Sequence, residues 1–464
     1  MDESARARVM DPEEEIDRCR SRLEEAEVRT VEFGAVDLDG LLRGKRVPVR
    51  YFLEAVARKG SAIANVLFGW DITDELIPGL EFSGSHTGYR DLVLKPDLTT
   101  VRVLPWEPET ALVLCDVEHP DGSAVAVSPR RELQRQIEWA RSLGFEFSIG
   151  YELEFYLFRE SPESVREKDF RNLTPATPDI STYTLHRLAG IDDVVGEIRD
   201  RMNECGIPIE ASNTEYGPGQ LEINFHHSEP LEAADRAAVY KDGVRRIAAG
   251  HGFVASFMAK VSEDGAGSSG HIHQSLRLSG DPDANAFWEA DNDCPSPALK
   301  RAVAGHLAAV RDLTAIFCPT VNSYKRCLSG SWAPTNVSWG RDNRTTALRV
   351  IDREMGSCRI EHRLPGADAN PHLAIAAVIA GATHGLVNHL EPPAPVIGDG
   401  YAADLPPLPG SLADAIQALE RSTIAAEAFD PSFLSHFLAT RRWEYELHRK
   451  AVSDWERRRY LDRV

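Results

Sequence analysis

An α+β fold is what this sequence predicts: a helical segment over residues 1–27, a small β-rich domain over 28–120 and a larger α+β domain over 121–464. Three observations lead there. Apolar residues fill 42% of the 464 positions and run along the whole length, enough to bury a large core in two or three domains. Segments of helical spacing alternate with segments of strict period two. Pro and Gly gather in 77–108 and 391–409, where surface loops are expected.

In chain order, the charge-dense residues 1–27 predict a short surface helix. Val31, Phe33 and Val36 then precede the turn Asp39-Gly40, and residues 41–49 can return as the partner strand of a hairpin. Ser128-Pro129 reads as a helix start, with Leu133, Ile137 and Ala140 at helical spacing and Gly144 as the stop. The next stretch, FEFSIGYELEFYLF, switches to period two. Phe145, Phe147, Ile149, Tyr151, Leu153, Phe155 and Leu157 share one face, while Glu146, Ser148, Glu152 and Glu154 share the other. Helical patterning resumes from Ser411 to the end, and Tyr401 reads as a plain surface tyrosine.

Charge narrows the function. Lys+Arg number 52 and Asp+Glu 72, a net charge of −20, which argues against general affinity for nucleic acid or an anionic membrane. The seven cysteines are scattered without a C-x-x-C pair, as in a reducing compartment. Residues 1–15 lack an apolar signal core, and the most apolar window, 373–383, is far shorter than the ~18 residues a spanning helix needs. A cytoplasmic protein is expected.

The chemistry lies on the polar faces of the strands. Glu152 and Glu154 lie two apart. In EYGPGQLEINF, Gln220, Glu222 and Asn224 oppose Leu221, Ile223 and Phe225, with Glu215 just before the Gly-Pro-Gly turn. In GHIHQSL, His271, His273 and Ser275 oppose Ile272; in CRIEHRL, Arg359, Glu361 and Arg363 oppose Ile360. If these strands adjoin, five glutamates and two histidines converge. Uncompensated, such carboxylates would be driven to protonate, and hard divalent cations resolve that conflict. Arg326, Arg341, Arg344, Arg349, Arg359 and Arg363 follow within a short span and point to polyanionic ligands such as nucleotide phosphates and a carboxylate. Cations and arginines together are the equipment of phosphoryl transfer. There is no P-loop.

The segments GYELEFYLF, EASNTEYGPGQLE, GSSGHIHQSL, NSYKRCLSGSWAPTNVSWGRDNR and RIEHRLPGADANPHLA, in this order and spacing, resemble the glutamine synthetase superfamily. The resemblance runs from about residue 31 to the C-terminus. It implies an N-terminal β-grasp domain, a C-terminal catalytic α+β domain, and a homo-oligomer, commonly a dodecamer of two hexameric rings. It also implies a site for ATP, glutamate, an amine and two to three Mg²⁺ or Mn²⁺ ions. Glu154, Glu215 and Glu222 resemble ligands of the cation nearest glutamate, and Glu152, His271 and Glu361 those of the cation nearest the phosphates. Glu210, His273, Ser275, Arg344, Arg349 and Arg359 match ATP contacts. Arg326, Arg363 and Gly267 match groups holding glutamate, with Arg344, Arg326 and Arg363 serving the transferred phosphoryl group. The usual Asn beside that glycine is Ala266 here. The implied reaction phosphorylates the γ-carboxylate of glutamate, and an amine then displaces phosphate.

Two departures concern the amine. Where the family carries a flap glutamate, this sequence has Trp332. Where it carries an acid in the segment F-D-G-S-S, this sequence reads Phe68-Gly69-Trp70-Asp71, so Asp71 substitutes only if the loop is shifted. Ammonium gains nothing from an indole, whereas the carbon chain of an alkylamine packs on it. The expectation is a γ-glutamyl ligase for a small primary amine, an ethanolamine-like monoamine, with Trp332 and Asp71 in its pocket. The branch it resembles also includes polyamine ligases, and Asp71, Asp74 and Glu75 keep that alternative open, as glutamine synthesis from ammonium also stays open.

Overall fold

The computed structural model describes residues 11–278 and 285–464. Helix Pro12–Glu25 starts at Asp11, whose carboxylate accepts the Glu13 N–H, and Glu13, Glu14 and Glu15 complement the positive end of its dipole. It is more than a surface helix, because Ile16, Cys19 and Leu23 are buried against the core.

The first sheet comprises β1 (Thr30–Val36), β2 (Leu42–Pro48), β3 (Ser61–Ala64), β4 (Asp91–Pro96), β5 (Arg102–Val103) and β6 (Thr110–Glu118), in the order β2-β1-β6-β4-β3 with β5 also on β6. The expected hairpin is β1–β2, antiparallel, with Val31 opposite Val47. The pair β1–β6 is parallel, so a long crossover joins them. Val31, Phe33, Val113 and Leu114 fill the sheet's core.

The second sheet comprises β7 (Phe145–Phe158), β8 (Ile209–Thr214), β9 (Gln220–Phe225), β10 (Val254–Ser256), β11 (Gly270–Leu278), β14 (Trp339–Arg341), β15 (Leu348–Ile351) and β16 (Arg359–His362), with β12 (Trp288–Glu289) and β13 (Cys294–Pro295) forming a separate ribbon. Its order is β14-β15-β16-β11-β7-β9-β8, with β10 also on β7. The period-two reading holds through β7: Phe147, Ile149, Tyr151, Leu153, Phe155 and Leu157 are all buried. Helices pack on the opposite side. Helix Pro371–Val387 is buried nearly all round and contacts helices Pro129–Ser142, Pro230–Gly250 and Pro297–Ala309. Its approach to the last of these depends on glycine, since a Cβ on Gly385 would lie 2.0 Å from the Arg301 carbonyl oxygen.

Helix Pro129–Ser142 starts where expected, but the Ser128 hydroxyl makes no capping bond. Its buried Arg130 instead joins the layers, reaching Asp97 at 2.7 Å and Asp235 at 2.9 Å, while His372 meets Asp235 at 2.8 Å. A buried guanidinium with this many carboxylate partners is compensated, and removing one partner would strand the others. Residues 391–409 are extended apart from the short turn Gly400–Ala402, and helices Leu412–Arg421 and Pro431–Lys450 follow. Among the described residues no helix is long and apolar enough to cross a membrane.

Candidate active site

Sheet order decides whether the polar faces meet, and β16, β11, β7 and β9 lie side by side. The register sets His273 opposite Glu361, His271 opposite Glu152, and Glu154 opposite Glu222. Opposed residues of antiparallel strands point to one face, so a single surface carries all six. Arg349 on β15 stands opposite Glu361 on the same surface. Glu215 comes in from just beyond β8; its N–H bonds the Gln220 carbonyl at 2.9 Å and its carboxylate accepts from Asn213 at 2.9 Å.

The carboxylates divide by environment. Glu152 bonds His271 at 3.0 Å and His273 at 3.1 Å, and against the cost of burial these imidazoles hold it well below the usual range. Glu361 is brought down to about 2, because Arg363, His273 and His271 outweigh its burial. Glu215 and Glu222 have no such partners. Burial, then repulsion from Glu154 and Glu152, pushes Glu215 up to about 7. Burial, then repulsion from Glu152, Glu154 and Glu215, pushes Glu222 up to about 10. Donor atoms of Glu152, His273 and Glu361 lie within 4.8 Å of one another, a spacing at which one cation bridges all three. His271, the expected imidazole, also touches both acids, at 3.0 and 3.4 Å. Burial and Arg363 hold its pKa down, which favours the neutral form a metal binds. Oxygen and imidazole donors, and acids raised by their own repulsion, fit hard divalent cations.

Beside this surface Arg326 is buried, donating to the carbonyls of Leu364 at 2.9 Å and Arg363 at 3.1 Å. Arg363 donates to Glu361 and, at 3.2 Å, to the Trp332 carbonyl. Gly267 lies against Arg326, for a Cβ there would fall 2.5 Å from the arginine Cγ. Gln220 ties this glycine to the acids, donating to its carbonyl at 2.9 Å and to Glu154 at 3.0 Å. At the other end a cavity of about 380 Å³ is lined by Glu152, Glu210, His273, Ser275 and Arg359. Arg359 donates to His273 at 3.1 Å and Glu210 pairs with His226 at 3.0 Å. Arg349 bonds Glu361 and Asp342. Arg344 is exposed at the rim, within electrostatic reach of Tyr183.

The mouth is less uniform. Trp332 has a positive φ of 63° and its indole meets the Tyr216 ring at 6.4 Å. Tyr401 is no plain surface tyrosine: its hydroxyl is buried next to the Trp332 backbone, within electrostatic reach of Arg363 and Arg326. Asp71 stands apart from the carboxylate surface within this chain. One oxygen accepts from Thr73 and Glu75 and the other from the Trp443 indole at 3.0 Å. Sequence reasoning did not single out His227, Tyr183 or Tyr216, and it placed Gln220 and Asn224 on the polar face without giving them a role. His227, which bonds Ser148 at 2.8 Å and lines the cavity, lies beyond the end of β9 and left no periodic signal.

Comparison with known proteins agrees with this geometry. The family described as glutamine synthetase, catalytic domain, matches residues 126–460. A glutamate–isopropylamine ligase of Pseudomonas sp is 41% identical over 450 residues, 96% of this chain and 97% of that protein. A γ-glutamylethanolamide synthetase of Streptomyces coelicolor is 38% identical over 94% of each chain. The glutamine synthetase of Thermotoga maritima is 31% identical over 96% of this chain and 99% of that one. Among solved structures, a GmaS/ADP complex superposes with a TM-score of 0.83 at 28% identity, covering 95% of this chain and 99% of its own.

Proposed function

This chain belongs to the glutamine synthetase family and is a glutamate–amine ligase, and from that premise we propose that its amine is a small primary alkylamine rather than ammonium. Glu154, Glu215 and Glu222 hold one cation, and Glu152, Glu361 and an imidazole of β11 another, two to three Mg²⁺ or Mn²⁺ ions in all. Bound there, the ions neutralise phosphate oxygens and polarise the bond to be broken.

The remaining work falls to the chain's own side chains. The cavity lined by Glu210, Ser275 and Arg359 takes ATP, with its phosphates towards His273 and Arg349. Arg326 and Gly267 orient glutamate so that its γ-carboxylate attacks the terminal phosphate. A free carboxylate is a poor electrophile, and the acyl phosphate gives it a leaving group. Arg326, Arg363 and Arg344 meet the charge that develops on the transferred group, the preorganised stabilisation that accounts for most of such rate enhancements. The neutral amine then attacks the acyl carbon and phosphate departs.

The observation that carries the amine assignment is Trp332. Its backbone is tied to Arg363 at 3.2 Å, so an indole and not a carboxylate stands at the entrance. Of the loop acids, Asp71 is spent on its own loop and the Trp443 indole, and Asp74 pairs with Arg43 at 2.5 Å. That favours a monoamine over a polyamine, whose second charge would need an acid. Asp71 can join the pocket only from a neighbouring copy. Its loop leaves Ile72 and Leu76 half exposed, which suits burial in the expected assembly of two hexameric rings.

The test is phosphate release with ATP, glutamate and Mg²⁺ against ammonium, ethanolamine, isopropylamine and putrescine. One of the two monoamines should be the best substrate, and preference for ammonium would overturn the assignment. Glutamate labelled with ¹⁸O in the γ-carboxylate should pass one label to each phosphate released.

A further inference from the structure

Tyr216 is unused by the chemistry above, yet it stands against the Trp332 indole. It directly follows Glu215 in the chain, which places it beside the acid cluster. Its ring meets the Trp332 indole at 6.4 Å with the planes inclined at 55°. Each of the two residues remains 51% exposed, so the pair is not core packing but an aromatic surface turned to solvent. Trp332 is fixed from the opposite side. Its φ of 63° is a conformation that a bulky residue keeps only where its surroundings impose it, and its carbonyl accepts from Arg363 at 3.2 Å. One ring therefore follows Glu215 in the chain and the other belongs to a residue whose backbone is tied to Arg363, with the two planes inclined to each other.

We infer that Tyr216 is a specificity-determining residue for the amine and forms with Trp332 an aromatic cleft that grips a short alkyl group. This rests on the alkylamine reading and goes beyond it by naming the second wall. The aromatic faces attract the protonated amine as it arrives, and its carbons are then buried between the rings. Ammonium has no carbon to bury. A diamine leaves its second charge between two aromatic rings, while Asp71 and Asp74 are held by Thr73, Trp443 and Arg43.

The experiment compares kcat/KM for isopropylamine, ammonium and putrescine in the full-length enzyme and in Tyr216→Ala, Tyr216→Phe, Tyr216→Glu and Trp332→Ala. Tyr216→Ala should raise KM for isopropylamine about tenfold or more, the scale of discrimination a hydrophobic pocket gives. KM for ATP and for glutamate and kcat/KM for ammonium should stay within about twofold. Tyr216→Phe should behave as the parent, because the ring and not the hydroxyl does the work. Tyr216→Glu should raise the putrescine-to-isopropylamine ratio, even if the alanine variant disturbs Glu215. The double variant Tyr216→Ala/Trp332→Ala should be little worse than either single one, as for two walls of one cleft. Unchanged isopropylamine kinetics in Tyr216→Ala, with Trp332→Ala impaired, would remove Tyr216 while sparing the alkylamine reading. Ammonium as the parent enzyme's best substrate would remove both.

Discussion

The floor and the mouth of the active site can be compared residue by residue. On the floor, Glu152, Glu154, Glu222, His271, His273 and Glu361 project from four adjoining strands, and register alone fixes which faces which. At the mouth, Trp332, Tyr216 and Tyr401 lie outside the strands and are placed by one backbone hydrogen bond, a ring contact, burial against the Trp332 backbone and one positive φ. A change on the floor shifts charges that oppose one another at close range, whereas a change at the mouth alters a surface. Reaction type is therefore secured by the sheet, and choice of amine is left to segments that can change without unmaking it.

The largest expected effects are on the floor and at the buried arginine beside it. Glu154→Ala and Arg326→Ala should each lower kcat by about a thousandfold or more, in line with the loss of a preorganised charge, while circular dichroism and elution volume stay unchanged. A comparable loss from Trp332→Ala, with ammonium activity lost as well, would erase the distinction between floor and mouth.

Next comes the pH dependence of cation binding. Glu215 at about 7 and Glu222 at about 10 keep protons that the unfolded chain has released above its ordinary carboxylate range. The metal-free protein binds more protons folded than unfolded, so Glu215 subtracts stability as pH rises from about 4.5 to about 7, and Glu222 goes on doing so to about 10. A cation displaces those protons, so the rise in Tm on adding Mg²⁺ should be larger at pH 8 than at pH 6. Glu361, at about 2, acts with the opposite sign and only below the ordinary carboxylate range. A Mg²⁺ effect on Tm independent of pH would contradict a cation bound by Glu215 and Glu222.

A smaller change is expected from Trp332→Glu. It should shift kcat/KM towards ammonium relative to isopropylamine by about tenfold, with KM for ATP unaltered. Smallest is Asp71→Ala, which loses its turn bonds and the Trp443 contact and should cost about 1–2 kcal/mol of stability in chemical denaturation.

The same comparison explains what could be read from the sequence. Strict alternation in GYELEFYLF and GHIHQSL marks which side chains share a face, and β7 and β11 obey it. Neighbourhood had to be supposed, and the order β16-β11-β7-β9 supplies it. Residues placed by loops left no such pattern. Asp71 could stand in for the pocket acid aligned with Gly69 only if the loop shifted, and nothing in the sequence shows that it is occupied by Thr73, Glu75 and Trp443. Tyr401 read as surface because nothing local shows that the extended stretch 391–409 folds back against the Trp332 backbone.

The most direct test is competition in one vessel: equal concentrations of ammonium and isopropylamine with limiting glutamate, ATP and Mg²⁺, and the products weighed by mass spectrometry. γ-Glutamylisopropylamide should predominate over glutamine by tenfold or more, the scale a hydrophobic pocket provides. Glutamine in excess would mean that the indole at the entrance does not select the amine.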